Sequence, residues 1–536
     1  MDLRTEAKLW ITDDPDPQTA AQVQAWLDTN NEEELKRSFA GFLQFGTAGL
    51  RGPVRPGPSG MNRAVVGRTA AGIVAYMRER NLTSVVIGRD ARYGSEDFTF
   101  ETAEIMSGAG MEVFVLPRPL PTPVLAYATN ELKCDVGIMV TASHNPPQDN
   151  GYKVYLGGSV DGIDYRGSQI ISPTDESIAA KIAAITSLAT QPRATKWTVL
   201  DEEIIEKYIA VTAAIATVPG NLKIVYTAMH GVGTETLLRV FHKAGFQSPI
   251  LVEAQAQPDP DFPTVAFPNP EEPGAIDLAL ETARNFDVDL VIANDPDADR
   301  CAAAIKDPIK GWRMLRGDEL GVILGESIAR ESSYGIFANS IVSSSILSKI
   351  ARFYNLEFKE TLTGFKWLAK IPGLTFGYEE ALGYCVDSGT VNDKDGISAA
   401  IKLAQIATDL AAEGKTLQDL LDEVWERHGF HATEQISIRL TDLSKVGVIL
   451  GRLRSNPPAA IAGRDVVSID DLAQPKDALP ATDGIRLWLA GNVRIIIRPS
   501  GTEAKMKCYV EAIEKDLPTA QNVLDQLRAP LKELLS

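Results

Sequence analysis

The chain has 536 residues, enough for roughly three to four domains of ordinary size. Hydrophobic residues make up 44% and charged residues 23%, the balance of a soluble globular protein. With 53 Lys and Arg against 71 Asp and Glu, the net charge of −18 argues against nucleic acid or an anionic membrane surface as partner, and leaves a small anionic ligand open.

Residues 1–40 read as an acidic helical lead-in, with Trp26, Leu27, Leu35 and Phe39 able to pack onto the body. The opening MDLRTEAKLW lacks the apolar stretch of a signal peptide, and no run approaches the ~18 apolar residues of a membrane span. Cys134, Cys301, Cys385 and Cys508 lie too far apart for a metal knuckle, so a reduced, cytoplasmic protein is expected.

From residue 84 the grammar becomes α/β. SVVIG (84–88), a helix-like stretch (95–108), MEVFVL (111–116) and CDVGIMV (134–140) alternate strand and helix, as parallel α/β units do. LKIVYTA (222–228) and VDLVIAN (288–294) repeat the pattern, and SSYGIFANSIVSS (332–344), LTFGYEEALGY (374–384) and the helix-like ISAAIKLAQIATDLAAE (397–413) form a third set. Between them, 257–273 holds six prolines in 17 residues, which fits only an ordered extended loop. After about 430 the runs EQISIRL, DVVSI, IRLWLA, NVRIIIRPS and KMKCYVEA are strand-like, and 517–536 is an amphipathic helix. His428 and His431 lack a Cys partner and read as a solvated turn. The expected fold is α/β: four domains around a central cleft, three related α/β domains with mixed sheets plus a C-terminal α+β domain, divided as 1–204, 205–309, 310–430 and 431–536.

Four loops carry chemistry. The first, Thr141-Ala142-Ser143-His144-Asn145-Pro146-Pro147, follows CDVGIMV, and ligands of open α/β sheets sit beyond the carboxyl ends of strands. Ser143 is therefore placed as a nucleophile or phosphate carrier, although Ser, Asn and Pro also make ordinary turns. Neighbouring side chains on an extended segment point opposite ways, so Ser143 and His144 make a poor dyad by adjacency alone. The second, Asn294-Asp295-Pro296-Asp297-Ala298-Asp299-Arg300, alternates three carboxylates that a curled loop can converge on one hard cation. It is no EF-hand, since Arg300 replaces the sixth-position Gly and Lys306 the twelfth-position Glu. An open three-carboxylate site suits Mg²⁺ bound together with a phosphate.

The third loop, Gly377-Tyr378-Glu379-Glu380-Ala381-Leu382-Gly383-Tyr384, offers two carboxylates that accept hydrogen bonds from vicinal hydroxyls, or forms a plain surface turn. The fourth, Arg498-Pro499-Ser500-Gly501-Thr502-Glu503-Ala504-Lys505, pairs a guanidinium fork with hydroxyls and a glycine, a set that suits phosphate. No Walker loop is present.

In this order the loops resemble those of the α-D-phosphohexomutase superfamily of phosphoglucomutases and phosphomannomutases, over nearly the whole chain. TASHNPPQDNGYKVY is similar to the phosphoserine loop, NDPDADR to the metal loop, GYEEALGY to the sugar loop and RPSGTEAK to the phosphate loop; FGTAGLRG (45–52) is similar to the N-terminal motif. The resemblance implies a phosphosugar mutase working through phosphoserine at Ser143 and a sugar bisphosphate, which also serves as activator. It implies one Mg²⁺ held by Ser143, Asp295, Asp297 and Asp299. It further implies that Arg51, His144, Lys153 and Arg300 line the reacting centre, with Lys153 the favoured general base or acid. By the same resemblance, Lys366, Glu379, Glu380, Arg498, Ser500, Gly501 and Thr502 would bind the substrate. Ala381 stands where many hexose mutases carry Ser, and GYEEALGY with FGTAGLRG is closest to the phosphopentomutase-like branch. Glucose 1-phosphate is the favoured substrate, with mannose and pentose phosphates as alternatives. A Mg²⁺-dependent sugar phosphatase and a non-catalytic sensor are the competing readings. The expected partner is a small phosphosugar, with no nucleic acid and no membrane, and the chain is expected as a monomer or homodimer.

Overall fold

The computed structural model describes residues 2–46, 49–307, 311–440, 442, 444–476, 479–499 and 505–535. The chain divides into two compact units. One comprises Met1–Leu315, Ala369–Pro372 and Gly383–Asp409; the other comprises Arg316–Leu368, Gly373–Leu382 and Leu410–Ser536.

The first unit opens with three helices, Leu3–Asp13, Pro17–Asp28 and Glu32–Ser38, whose first turns are capped by Asp2, Asp16 and Asn31. Trp10, Val23, Leu27, Leu35 and Phe39 are buried, whereas Trp26 is half-buried. Asp13 fastens this lead-in to the body. Its carboxylate accepts from Ser187 Oγ at 2.6 Å, from the Leu188 amide at 2.8 Å and from Arg68 at 2.9 Å. The lead-in is thus a structural cap, as the sequence suggests.

The first sheet runs in the order Leu50–Pro53, Asp149–Leu156, Val136–Val140, Ser84–Arg89, Glu112–Val115, Thr198–Val199. Val136–Val140, Ser84–Arg89 and Glu112–Val115 are parallel; Asp149–Leu156 returns antiparallel beside Val136–Val140. The second sheet repeats the scheme. Ile250–Leu251, Ile224–Thr227 and Leu290–Asn294 are parallel, and Cys301–Asp307 then Gly311–Met314 return antiparallel. In both, the strand at the seam between parallel and antiparallel halves is buried along its whole length. Burial on both faces explains the unbroken apolar runs VGIMV and LVIAN. Each fully buried aliphatic side chain stabilises by about 1.5–3 kcal/mol. The proline-rich segment 257–273 is an ordered loop that buries Phe262 and Val265.

In the second unit, Glu357–Thr361, Ile336–Ser340 and Leu374–Glu379 form a parallel set. The C-terminal sheet is antiparallel, in the order Phe430–Arg439, Lys505–Glu514, Val493–Pro499, Ile485–Leu489, Arg464–Asp471, Ala460–Ile461. One face, with Val493, Ile495 and Ile497, packs on Val523, Leu524 and Leu527 of helix Leu517–Leu534. The other face puts Ile496 and Tyr509 against Ile341, Val342 and Leu362. Two covered faces account for the consecutive isoleucines. The architecture is therefore three α/β domains and a C-terminal sheet domain.

One sequence expectation fails here. His431 is buried rather than solvated, because it lies on strand Phe430–Arg439 with Nδ1 2.9 Å from Glu511 Oε1. Its value as a strand residue depends on a partner 80 positions away, which local composition cannot show. All four cysteines are buried free thiols, and no helix among the described residues is long and apolar enough to cross a membrane.

Candidate active site

The first unit gathers the serine loop and the carboxylate loop. Ser143 follows strand Val136–Val140 and is 2% exposed, with φ of +52°. This left-handed conformation costs a non-glycine residue about 1–2 kcal/mol. It turns the chain so that Ser143 Oγ lies 3.2 Å from His144 Nδ1, which the extended-segment argument did not foresee. Ser143 Oγ also donates to Asp295 Oδ2 at 2.8 Å, joining the first domain to the second.

Asp295, Asp297 and Asp299 each present an oxygen within 4.8 Å of the others, all buried. A tight turn converges them: Ala298, at φ +54°, donates its amide to the Asp295 carbonyl at 2.8 Å. Asn294 Nδ2 holds the Arg300 carbonyl at 2.6 Å, and the Arg300 amide donates to Asp295 Oδ1 at 3.0 Å. A Cβ at Gly396 would meet the Arg300 carbonyl at 2.2 Å, so only glycine fits against this turn.

Lys153, on strand Asp149–Leu156, donates to Asp297 Oδ2 and Asp299 Oδ2, each at 2.7 Å. Burial alone would lower its pKa, but Asp297 and Asp299 outweigh burial and hold it raised. Burial, then the Asp297 and Asp299 charges, push Asp295 well above the usual carboxylate range. Against burial, Lys153 and the Thr122 hydroxyl hold Asp297 well below it. Burial first, then Arg300 and Arg51, keep the His144 imidazole far below its ordinary pKa, so the ring is neutral at pH 7. Arg51, on strand Leu50–Pro53, donates to Asn145 Oδ1 at 3.1 Å. Gly49, two residues earlier, has φ +76°, and its Cβ position lies 1.8 Å from the Tyr152 carbonyl, so this stretch of FGTAGLRG must be glycine.

The donor set fits a hard divalent cation. Asp297 Oδ1 and Asp299 Oδ1 are buried and accept no hydrogen bond among the described residues. Buried carboxylate oxygens without donors are costly unless a cation meets them.

Three contributors were not singled out in the sequence. Thr122 Oγ1 donates to Asp297 Oδ2 at 2.6 Å. Lys394 Nζ lies 3.3 Å from Asp299 Oδ2. Arg92 binds the carbonyls of the serine loop. Of these, Arg92 had a legible signal, because it lies three residues past the carboxyl end of a parallel strand, Ser84–Arg89. Thr122 and Lys394 sit in segments with no such mark.

In the second unit, Glu379 ends strand Leu374–Glu379 and accepts from the Gly364 amide at 2.7 Å. Lys366 follows two residues later on the one-turn helix Phe365–Leu368. Glu380 Oε2 is engaged by Ser340 Oγ at 3.1 Å and Ser343 Oγ at 3.0 Å, so this carboxylate also holds its own loop together. Arg498 lies on strand Val493–Pro499; burial and the Glu380 charge push the Tyr509 hydroxyl up, against the charge of Arg498, which draws it down. Ser500, Gly501 and Thr502 lie outside the described residues.

Three family models match the chain: phosphoglucomutase/phosphomannomutase alpha/beta/alpha domain I over residues 43–189, domain II over 204–311 and domain III over 316–428. A Haemophilus influenzae protein named probable phosphomannomutase is 46% identical over 483 residues, covering 89% of this chain and 98% of that protein. Mouse phosphopentomutase is 33% identical over 594 residues, covering 99% of this chain and 93% of its own length. Among solved structures, a phosphoglucomutase/phosphomannomutase family protein from Burkholderia thailandensis shares the fold with a TM-score of 0.71 at 20% identity, over 91% of this chain and 97% of that one. With three matched domains and relatives spanning nearly its full length, the chain belongs to the phosphoglucomutase/phosphomannomutase family, mutases of the isomerase-type phosphotransferase class that act on small phosphosugars.

Proposed function

We propose that this protein interconverts a sugar 1-phosphate and the corresponding terminal phosphate, with glucose 1-phosphate the first substrate to test, through phosphoserine at Ser143 and a sugar bisphosphate. The observation that carries this reading is the 2.8 Å approach of Ser143 Oγ to Asp295 within the converged Asp295, Asp297 and Asp299 set. A hydroxyl that only filled a turn would not need a three-carboxylate neighbour.

In the forward half-reaction the terminal hydroxyl oxygen of the sugar 1-phosphate attacks phosphorus on Ser143. The P–Oγ bond breaks and the sugar leaves as a bisphosphate or turns over in place. In the second half-reaction Ser143 Oγ attacks the other phosphate, and the terminally phosphorylated sugar departs. Lys153 is assigned to hold or move the proton at these oxygens, and Arg51 and Arg300 to bind the transferring oxygens. Asp295, Asp297 and Asp299, with an oxygen on Ser143, would hold Mg²⁺, which neutralises charge on the transferring group when bound. Glu379, Glu380 and Lys366 would hold the sugar. Arg498, with Ser500, Gly501 and Thr502, would hold the phosphate that is not reacting.

A pentose phosphate is the second reading, favoured by Ala381 in the sugar loop and by the phosphopentomutase relatives. A panel of glucose, mannose, glucosamine, ribose and deoxyribose 1-phosphates, compared by kcat/KM, separates the sugars. The mutase reading expects Mg²⁺-dependent isomerisation stimulated by a sugar bisphosphate, and a phosphorylated Ser143 in the intact mass. Steady release of inorganic phosphate without isomerisation would instead identify a phosphatase. Arg498→Ala is expected to raise KM at least tenfold; unchanged KM and kcat would remove Arg498 from the site.

A further inference from the structure

The proline-rich segment 257–273 has no part in the chemistry above, yet it places one aromatic ring beside the serine loop. Arg92 is the intermediary. Its side chain is 1% exposed. Nη2 donates to the carbonyls of Ser143 at 2.6 Å and Asn145 at 2.7 Å. Nη1 donates to those of Pro146 at 2.9 Å and Asp149 at 3.2 Å. One planar guanidinium therefore gathers four carbonyls from a seven-residue stretch, a task that matches its fixed fork of donors. Asp90 steadies Arg92 from behind: Oδ2 lies 3.3 Å from Nε, and Oδ1 accepts the Arg92 amide at 3.0 Å. Asp90 is in turn fixed by Ser95 Oγ at 2.6 Å and by its own amide on the Val140 carbonyl.

Phe262 closes the remaining face. Its ring centroid lies 4.8 Å from the Arg92 guanidinium carbon, and the residue is 3% exposed at φ +46°. Its amide and carbonyl are tied to Asp259 and Val265 within the proline-rich segment, so the ring is delivered by a stiff loop of the second domain. A cation over an aromatic face is attracted to it, most strongly where both are shielded from water.

We propose that Arg92 is the positioning residue that holds Ser143 in its left-handed, forward-facing conformation, and that the proline-rich segment exists in this chain to hold Arg92 through Phe262. The inference rests on the mutase reading, since it assigns these residues to the geometry of Ser143 in that reaction. It explains why a strained serine is stable: its carbonyl and those of its neighbours are fixed from below while Oγ is left to face Asp295.

The test compares Arg92→Lys, Phe262→Leu and the double variant with the wild-type holoenzyme, using the best sugar 1-phosphate of the panel and saturating bisphosphate. A lysine keeps the charge but cannot span four carbonyls. Arg92→Lys is expected to lower kcat about 100-fold with KM changed less than threefold, because a misplaced reacting atom slows chemistry without touching ground-state binding. Phe262→Leu keeps an apolar side chain and loses the π face; a fall in kcat of about 3–10-fold is expected. The double variant should be no slower than Arg92→Lys alone, since Phe262 acts through Arg92. Multiplicative losses, an effect on KM alone, or wild-type kcat in Phe262→Leu would each overturn the inference. A wild-type enzyme that isomerises no sugar phosphate would instead overturn the mutase reading, and this inference with it. Should Arg92→Lys fail to fold, the kcat of Phe262→Leu still decides.

Discussion

Ser143 is held where a side chain is least comfortable, at φ +52° in a buried loop. Ser143→Ala should abolish isomerisation, and retained mutase activity would refute the phosphoserine route. The same position tests the strain. Ser143→Gly removes the Cβ penalty and should be about 1 kcal/mol more stable than Ser143→Ala, read as a higher denaturation midpoint. Equal midpoints would mean that the penalty is no larger than the roughly 0.5–1 kcal/mol of entropy that glycine loses on folding. The residue scale is also where the sequence was most and least informative. Asp295, Asp297 and Asp299 could be read directly, because alternation in a short loop leaves few ways to face one point. The Ser143–His144 contact could not, because it depends on a single backbone dihedral. Arg92 and Phe262 lie 170 positions apart, and nothing local marks them as partners.

Among the elements, helix Gly396–Ala412 shows how an apolar pattern hides a titrating cap. Its apolar spacing is plain in ISAAIKLAQIATDLAA, but its first turn hangs on Asp395. Asp395 Oδ1 accepts the amides of Ile397 at 2.9 Å and Ser398 at 3.0 Å, and Tyr208 OH lies 2.9 Å from both carboxylate oxygens. Burial nevertheless outweighs these bonds and pushes the carboxyl up to about 6. Below about pH 4 the group is protonated both folded and unfolded. Between about pH 4 and 6 only the unfolded chain releases the proton, so stability falls as pH rises, by about 3 kcal/mol in all. Asp395→Asn cannot ionise. The stability of this variant relative to wild type should therefore climb as pH rises from 4 to 7, measured by urea denaturation at several pH values. Parallel curves would show that Asp395 ionises as readily folded as unfolded. The central strands were legible for a different reason from this helix, since burial on both faces leaves short unbroken apolar runs such as VGIMV and LVIAN. Pairing order and the antiparallel returns were not, because register is set between distant segments.

At the scale of the whole molecule, the C-terminal sheet is joined to the third α/β domain by buried charge as well as by apolar packing. Arg494 Nη2 lies 3.0 Å from Glu511 Oε2, and its Nη1 donates to the Ile341 carbonyl at 3.1 Å. Glu511 Oε1 accepts from Ser344 Oγ at 2.6 Å and from the Ser345 amide at 2.8 Å. Against burial, Arg494, His431 and Ser344 hold Glu511 well below the usual carboxylate range. Glu511→Ala leaves buried Arg494 with Glu360, 3.5 Å from Nη1, as its remaining carboxylate partner and should cost about 2–3 kcal/mol, lowering the thermal midpoint of the second unit. A shift below one degree would show that Arg494 finds solvent instead. The number of domains was legible from length and from repeated strand–helix sets, whereas this polar seam was not, since its members read as ordinary strand and turn residues. The net charge of −18 proved a poor guide to the ligand. Most of the acidic excess lies outside the few carboxylates proposed for the site, and Lys153, Arg300 and Lys394 stand beside Asp295, Asp297 and Asp299.

The four buried thiols give the molecule an internal clock. Cys134 and Cys301 lie in the segments matched to domains I and II, Cys385 in that matched to domain III, and Cys508 in the C-terminal sheet. Burial raises the pKa of each, so each resists alkylation while its surroundings stay closed. Each thiol thus reacts only when its own surroundings open. Pulsed alkylation followed by peptide mapping should yield four separate rates, and their order gives the hierarchy of local opening without any engineered label.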